Sequence, residues 1–230
     1  MATRRTLYGR RQGRPLRAGR KALLEEALPQ LEIALPEDGS TLSPAALFDP
    51  PPAEVFLEIG FGGGEHLAWQ ALRHPSAGFL AAEYFITGVA SLLGQLRAAG
   101  SEPPLRLYVG DARDLLECLP DAMLDRIFIL FPDPWPKRRH NKRRLIQPAT
   151  VALLARVLKD GGELRFATDD PSYLAWALQR LTAEPALAWQ VAGPADWRRR
   201  PDDWPATRYE EKALAAGRQP AHLRFLRRPR

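Results

Sequence analysis

Between residues 55 and 181, short apolar runs alternate with helix-length segments, and this alternation limits the possible folds more than any other feature of the chain. Val55–Ile59, Gly78–Ala82, Leu105–Val109, Asp125–Phe131 and Gly162–Ala167 each read as a buried strand. Glu65–Leu72, Thr87–Ala99, Arg113–Cys118 and Pro148–Leu158 read as the helices between them, and Ser172–Leu181 follows the last strand. Pro148 suits a first-turn position, where its missing N–H costs nothing. Strands that alternate with helices argue for a parallel sheet covered on both faces. The expected fold is therefore α/β, with a doubly wound, mostly parallel sheet. Leu187–Val191 and His222–Leu226 would add edge strands.

Hydrophobic residues make up 45% of the 230, enough for a packed core and too many for a disordered chain. A single cysteine, Cys118, excludes an internal disulfide and a zinc site built from cysteines alone. It reads as a packing residue, as do Trp69 and Trp176 on their helical faces. The four histidines, His66, His74, His140 and His222, are scattered without metal-ligand spacing, so no metal is expected. No apolar run approaches the roughly 18 residues that cross a bilayer, and no apolar stretch follows the basic N-terminus as in a signal peptide. The chain reads as soluble and cytoplasmic, with no membrane partner.

Charge is segregated along the chain. The net charge is +6, but the first 21 residues hold eight Lys and Arg and no acid, which leaves the remainder slightly acidic. Lys137, Arg138, Arg139, Lys142, Arg143 and Arg144 form a second cluster, Arg198–Arg200 a third, and Arg224, Arg227, Arg228 and Arg230 a fourth. Clustered cations suit a polyphosphate partner, because each neutralised phosphate releases condensed counterions. Residues 1–53 read as a basic arm that carries a short helix over Ala22–Leu35 and is then broken by Pro36, Gly39, Pro44 and Pro50–Pro52. The ordered domain is expected over 54–230.

Leu57-Glu58-Ile59-Gly60-Phe61-Gly62-Gly63-Gly64 joins the first strand to its helix. Glycines there allow close backbone approach and left-handed backbone. Glu65 stands where a dinucleotide fingerprint has its third glycine, and an acid at a helix N-terminus repels a pyrophosphate. A cofactor without phosphate fits this turn better. Glu83 ends the second strand, where nucleotide-binding folds place the acid that holds ribose hydroxyls, and Asp111 follows the third strand. With Glu58 and Asp133 they would converge at the carboxyl ends of the strands. Several carboxylates around one cavity call for a cationic, donor-rich ligand. S-adenosylmethionine has a sulfonium, an ammonium and ribose hydroxyls, and no phosphate.

Phe131-Pro132-Asp133-Pro134-Trp135-Pro136 leads into the basic run from Lys137 to Arg144. Two prolines stiffen the loop around Asp133. Trp135 offers a face for stacking a base, Asp133 an acceptor for a base's N–H edge, and the cations a grip on neighbouring phosphates.

These motifs, with Ala167-Thr168-Asp169 and Thr207-Arg208-Tyr209-Glu210, occur in the order seen in the bacterial tRNA (guanine-N7)-methyltransferase family, which the chain resembles from about Glu54 to its end. The resemblance implies a Rossmann-like class I methyltransferase fold with a seven-stranded type of sheet. It also implies transfer of the methyl group of S-adenosylmethionine to N7 of guanine 46 in the tRNA variable loop, leaving S-adenosylhomocysteine, by a monomer or homodimer. Carried over by position, Glu58, Gly60, Gly62, Glu83, Asp111 and Asp133 are the cofactor-binding residues, with Asp133 also catalytic. Lys137, Asp169, Thr207, Arg208, Tyr209 and Glu210 are substrate-binding. Gly63 and Pro136 depart from residues frequent in the family, which puts the loop conformation in question but none of the acids.

Three other readings fit less of the sequence. A nicotinamide-dependent oxidoreductase is opposed by Glu65 and by the lack of a hydride-transfer acid. An exocyclic-amine methyltransferase is only loosely imitated by Asp133-Pro134-Trp135. A non-catalytic RNA-binding module leaves the acids at the strand ends unexplained.

Overall fold

A computed structural model describes residues 8–9, 11–13 and 15–230. Arg4, Arg5, Arg10 and Arg14 of the expected basic arm lie outside the described residues. The chain opens with α1 (Ala18–Leu31) and a short α2 (Pro44–Leu47). Next come β1 (Val55–Ile59), α3 (Glu65–Arg73), β2 (Gly78–Ala82), α4 (Ile86–Ala98), β3 (Leu105–Tyr108), α5 (Ala112–Cys118) and β4 (Leu124–Leu130). A 3₁₀ turn over Arg138–Arg143 precedes α6 (Pro148–Val157), β5 (Leu158–Thr168), α7 (Pro171–Thr182) and β6 (Leu187–Trp189). The chain closes with α8 (Ala195–Arg198), α9 (Arg208–Ala215) and β7 (Ala221–Arg227).

The seven strands form one sheet in the order β3-β2-β1-β4-β5-β7-β6. The pairs from β3 to β5 are parallel, whereas β7 runs antiparallel to both its neighbours. The strand order reverses between β1 and β4, and the carboxyl ends of strands beside such a reversal are where open α/β sheets bind ligands. One face packs Leu57, Ile127, Leu164 and Phe166 against α5, α6 and α7. The other packs Phe56, Phe79 and Phe128 against α3 and α4. Burying each of these side chains contributes about 1.5–3 kcal/mol.

Three expectations need correction. The segment around His222 is not an edge strand: β7 lies inside the sheet between β5 and β6, and the rims are β3 and β6. Ala221, His222, Leu223 and Phe225 are buried from both sides, which an edge position would not provide. The first helix runs from Ala18 to Leu31 because Glu32 leaves it to bridge β3 at Leu107, where Ile33 N donates to the Leu107 carbonyl at 2.7 Å. The core also begins before Glu54, since Ile33, Leu42, Leu47 and Phe48 are buried in it. Among the described residues, no helix is long and apolar enough to cross a membrane.

Candidate active site

The glycine turn after β1 is tied to its neighbours by backbone. Gly60 N donates to the Ala82 carbonyl at 2.8 Å, and Gly62 N donates to Glu83 Oε2 at 2.8 Å. Gly60 has φ 73°, and a Cβ there would project into open space, so the turn leaves a cradle that a side chain would fill. At Gly88 in α4, a Cβ would overlap the Gly62 carbonyl oxygen, so this glycine lets α4 press against the turn. Glu65 folds its carboxylate back over Gly63, placing negative charge where a bound phosphate would sit.

Glu83 Oε1 accepts from Tyr84 N and Phe85 N at 2.7 and 2.8 Å, which fixes the acid at the crevice wall. Burial raises its carboxyl above the ordinary range against these backbone donors, and the charge of Asp133 raises it further. Asp133 itself is exposed by area, yet the protein packed around it raises its carboxyl too. Its loop carries left-handed backbone at Phe131 (φ 51°) and Trp135 (φ 46°). Non-glycine residues in that region cost about 1–3 kcal/mol each and cluster at functional sites.

The other two acids have protein partners. Glu58 is buried in β1, with Oε2 2.7 Å from His66 Nδ1, and His66 Nε2 lies 3.2 Å from Gln70 Nε2. Asp111 caps α5 by accepting from Arg113 N at 3.0 Å and pairs with the Arg113 guanidinium. The expected convergence of four carboxylates is thus strongest for Glu83 and Asp133. The segment at the N-terminus of α9 comes to the same crevice: the Tyr209 ring lies over Gly62, and Arg208 Nε is 3.9 Å from Glu65 Oε1. Thr207 Oγ1 caps α9 by accepting from Glu210 N at 3.2 Å.

Residues 52–223 match the family model described as "Putative methyltransferase". The tRNA (guanine-N(7)-)-methyltransferase of Rhodospirillum rubrum is 53% identical over 225 residues, covering 97% of this chain and 88% of its own. That of Paramagnetospirillum magneticum is 48% identical over 229 residues, covering 100% and 95%. The chain belongs to the tRNA (guanine-N7)-methyltransferase family. Among solved structures, the 16S rRNA methyltransferase KamB is similar in fold, with a TM-score of 0.55 at 17% identity over 77% of this chain and 89% of its own.

For this family member, two sequence expectations change at the level of side chains. Trp135 is not a bare platform: Tyr8 meets it edge-on at 6.2 Å, His140 at 6.0 Å, and the Arg143 guanidinium lies 4.4 Å from the Tyr8 ring centre and 5.0 Å from that of Trp135. Arg144, read as a phosphate contact, is only 1% exposed. It donates to the Pro134 carbonyl at 2.8 Å and to Ser172 Oγ at 2.9 Å, pinning the Asp133 loop to α7. Tyr173 supports it beneath, with a hydroxyl pushed up to about 12 by burial. Trp176 packs against the core as expected, and Trp69 is half-buried; each has an arginine over its ring, Arg180 and Arg73 respectively. Lys137 is exposed, and Asp169 is held by Arg218 at 2.6 Å. Nothing in a uniform run of cations separates the buried Arg144 from its solvated neighbours; only the Ser172 and Tyr173 pocket on α7 does.

Proposed function

We propose that this chain transfers the methyl group of S-adenosylmethionine to N7 of guanine 46 in the tRNA variable loop. One observation carries the reading: the glycine turn holding Glu83 and the stiffened Asp133 loop stand side by side, where the strand order reverses. Glu58, Gly60, Gly62, Glu83 and Asp111 would hold the cofactor, and the fit is chemical. The cradle at Gly60 is open, Glu65 disfavours phosphate, and the carboxylates suit a ligand with a sulfonium and an ammonium. When bound, the cofactor supplies an electrophilic methyl group, and the S–CH₃ electron pair stays with sulfur as the base's lone pair takes the methyl.

Guanine N7 has no proton to lose, so the chain needs no general base. Its residues instead orient the base and stabilise charge. Asp133 faces the positive charge that develops on the purine. Asp169 and Glu210 offer acceptors for its N1–H and N2–H₂ edge, while Thr207, Arg208 and Tyr209 align ribose and phosphate. Lys137 and the exposed cations after it hold the backbone. The activity belongs in the cytoplasm, with the tRNA pool.

The deciding experiment incubates the purified chain with unmodified tRNA and S-adenosylmethionine, then identifies tRNA nucleosides by mass spectrometry. 7-Methylguanosine at position 46 is the expected product. A methyl group on an exocyclic amine, or none, overturns the reading.

A further inference from the structure

Thr207–Glu210 has the spacing of a capping box, in which the acid reaches back to the backbone N–H of the capping residue. Among the described residues Glu210 makes no such bond. It turns inward instead and is only 5% exposed. Its Oε1 lies 3.3 Å from Arg200 Nε and 3.6 Å from His222 Nε2. Thr207 still caps the helix, but the segment forgoes the acid's half of the box and turns the Glu210 carboxylate inward.

His222 is the unexplained member of this group. It lies in β7, opposite Ala167 of β5, and is 2% exposed. Neither ring nitrogen has a hydrogen-bond partner among the described residues. Burying an imidazole without partners is costly, and each such group in a native protein calls for an explanation. Its ring meets Trp204 at 5.3 Å and, nearly perpendicular, Phe131 at 6.5 Å. Phe131 begins the strained loop that presents Asp133. One side chain thus touches both halves of the proposed guanine site: Glu210 through nitrogen and the Asp133 loop through its ring.

We propose that His222 is a positioning residue for methyl transfer. As a donor at Nε2, it needs to approach Glu210 Oε1, 3.6 Å away, by only about 0.5 Å to make a full hydrogen bond. With Arg200, it then fixes the carboxylate that receives the donor edge of guanine. Its ring braces Phe131 so that Asp133 and Glu210 keep their separation. The inference rests on the proposed function and adds a residue that touches neither cofactor nor base.

The test uses the full chain, with tRNA transcript and S-adenosylmethionine. His222→Leu should lower kcat at saturating tRNA by about 10- to 100-fold, the cost of a roughly 1 Å misplacement. S-adenosylhomocysteine affinity, measured by calorimetry, should stay within about twofold, because the cofactor wall is untouched. His222→Gln, which keeps a donor near the Nε2 position, should recover kcat to within about threefold of wild type. In a Glu210→Gln background, His222→Leu should cost clearly less than it does in the wild type, since the part of its effect that acts through the Nε2 contact is already lost. His222→Met substitutes for Leu if that variant does not fold. The inference is overturned by an apolar variant as active as wild type, by a Gln variant as poor as the apolar one, by multiplying effects in the Glu210→Gln background, or by a parallel loss of cofactor affinity. A wild-type chain that methylates no guanine overturns the function itself, an outcome distinct from an active wild type indifferent to His222.

Discussion

Asp133 stands between Phe131 and Trp135, both held in left-handed backbone, and no hydrogen bond from a described residue occupies its carboxylate. An unclaimed acid on a strained loop is available to a ligand. Asp133→Asn should lower kcat about 100-fold or more, the usual cost of removing a preorganised electrostatic group. tRNA affinity in a filter-binding assay should change little, because phosphate contacts dominate it. Full activity in that variant would remove Asp133 from the mechanism. The pH dependence follows from the same acids. Burial raises Glu83 above its ordinary 4.5, with a further rise from Asp133, and burial raises Asp133 above 3.8. A carboxyl raised by folding costs stability as pH climbs from its ordinary value to its raised one, with no further change above. A cationic ligand favours the ionised pair, so binding should expel protons in that window and tighten as pH rises through it. Calorimetry in buffers of different ionisation enthalpy reads the proton release directly. Affinity that is flat across the window would mean that neither acid faces the cofactor. That Glu83 follows β2 and Asp133 follows β4 was legible in the sequence, since the apolar runs mark where the strands end. The partners of the other two acids were not: nothing in the local sequence shows that His66 claims Glu58 or that Arg113 claims Asp111.

At the scale of elements, the parallel half of the sheet was readable because buried strands are apolar along their whole length, as all five residues of β2 are. The place of β7 was not, because periodicity reports burial and not strand order. The part before β1 was hidden for a related reason: Ile33, Leu42, Leu47 and Phe48 are spread among prolines and form no periodic face, yet all enter the core. Arg144 shows how elements share one residue. Its guanidinium joins the Asp133 loop to α7 through Pro134 and Ser172 and lies against the Tyr173 and Trp176 rings. Arg144→Met keeps most of the volume and leaves the Pro134 carbonyl without its donor. The expected cost is about 2 kcal/mol, or roughly 4–8 °C in Tm. kcat should fall as the loop loosens, while tRNA affinity and its salt dependence stay near wild type, which a phosphate-binding arginine would not allow. Calorimetric melting and a salt titration of tRNA binding measure both on one preparation.

At the scale of the whole molecule, one of the basic clusters stands directly beside the acidic crevice. Lys137, Arg138, Arg139 and Lys142 are exposed on the 3₁₀ turn immediately after the Asp133 loop. The arm reaches the same side: Tyr8 packs on Trp135, and the Arg11 carbonyl accepts from Ile86 N at 3.1 Å, just after Glu83. Cations on the turn therefore border an acidic crevice, which lets a polyanion dock while its reacting base meets negative charge. Uniform basicity would bind tRNA without presenting the base, and a wholly acidic surface would repel it. Replacing Lys137, Arg138, Arg139 and Lys142 together by alanine should weaken tRNA binding and flatten the slope of log K against log salt by roughly 0.7–0.9 for each phosphate that is no longer neutralised. kcat at saturating tRNA should stay close to wild type, because these side chains orient the backbone and not the purine. An unchanged slope would place the RNA on another face of the sheet, and a collapse of kcat with an unchanged slope would mean that the turn shapes the Asp133 loop instead of holding RNA.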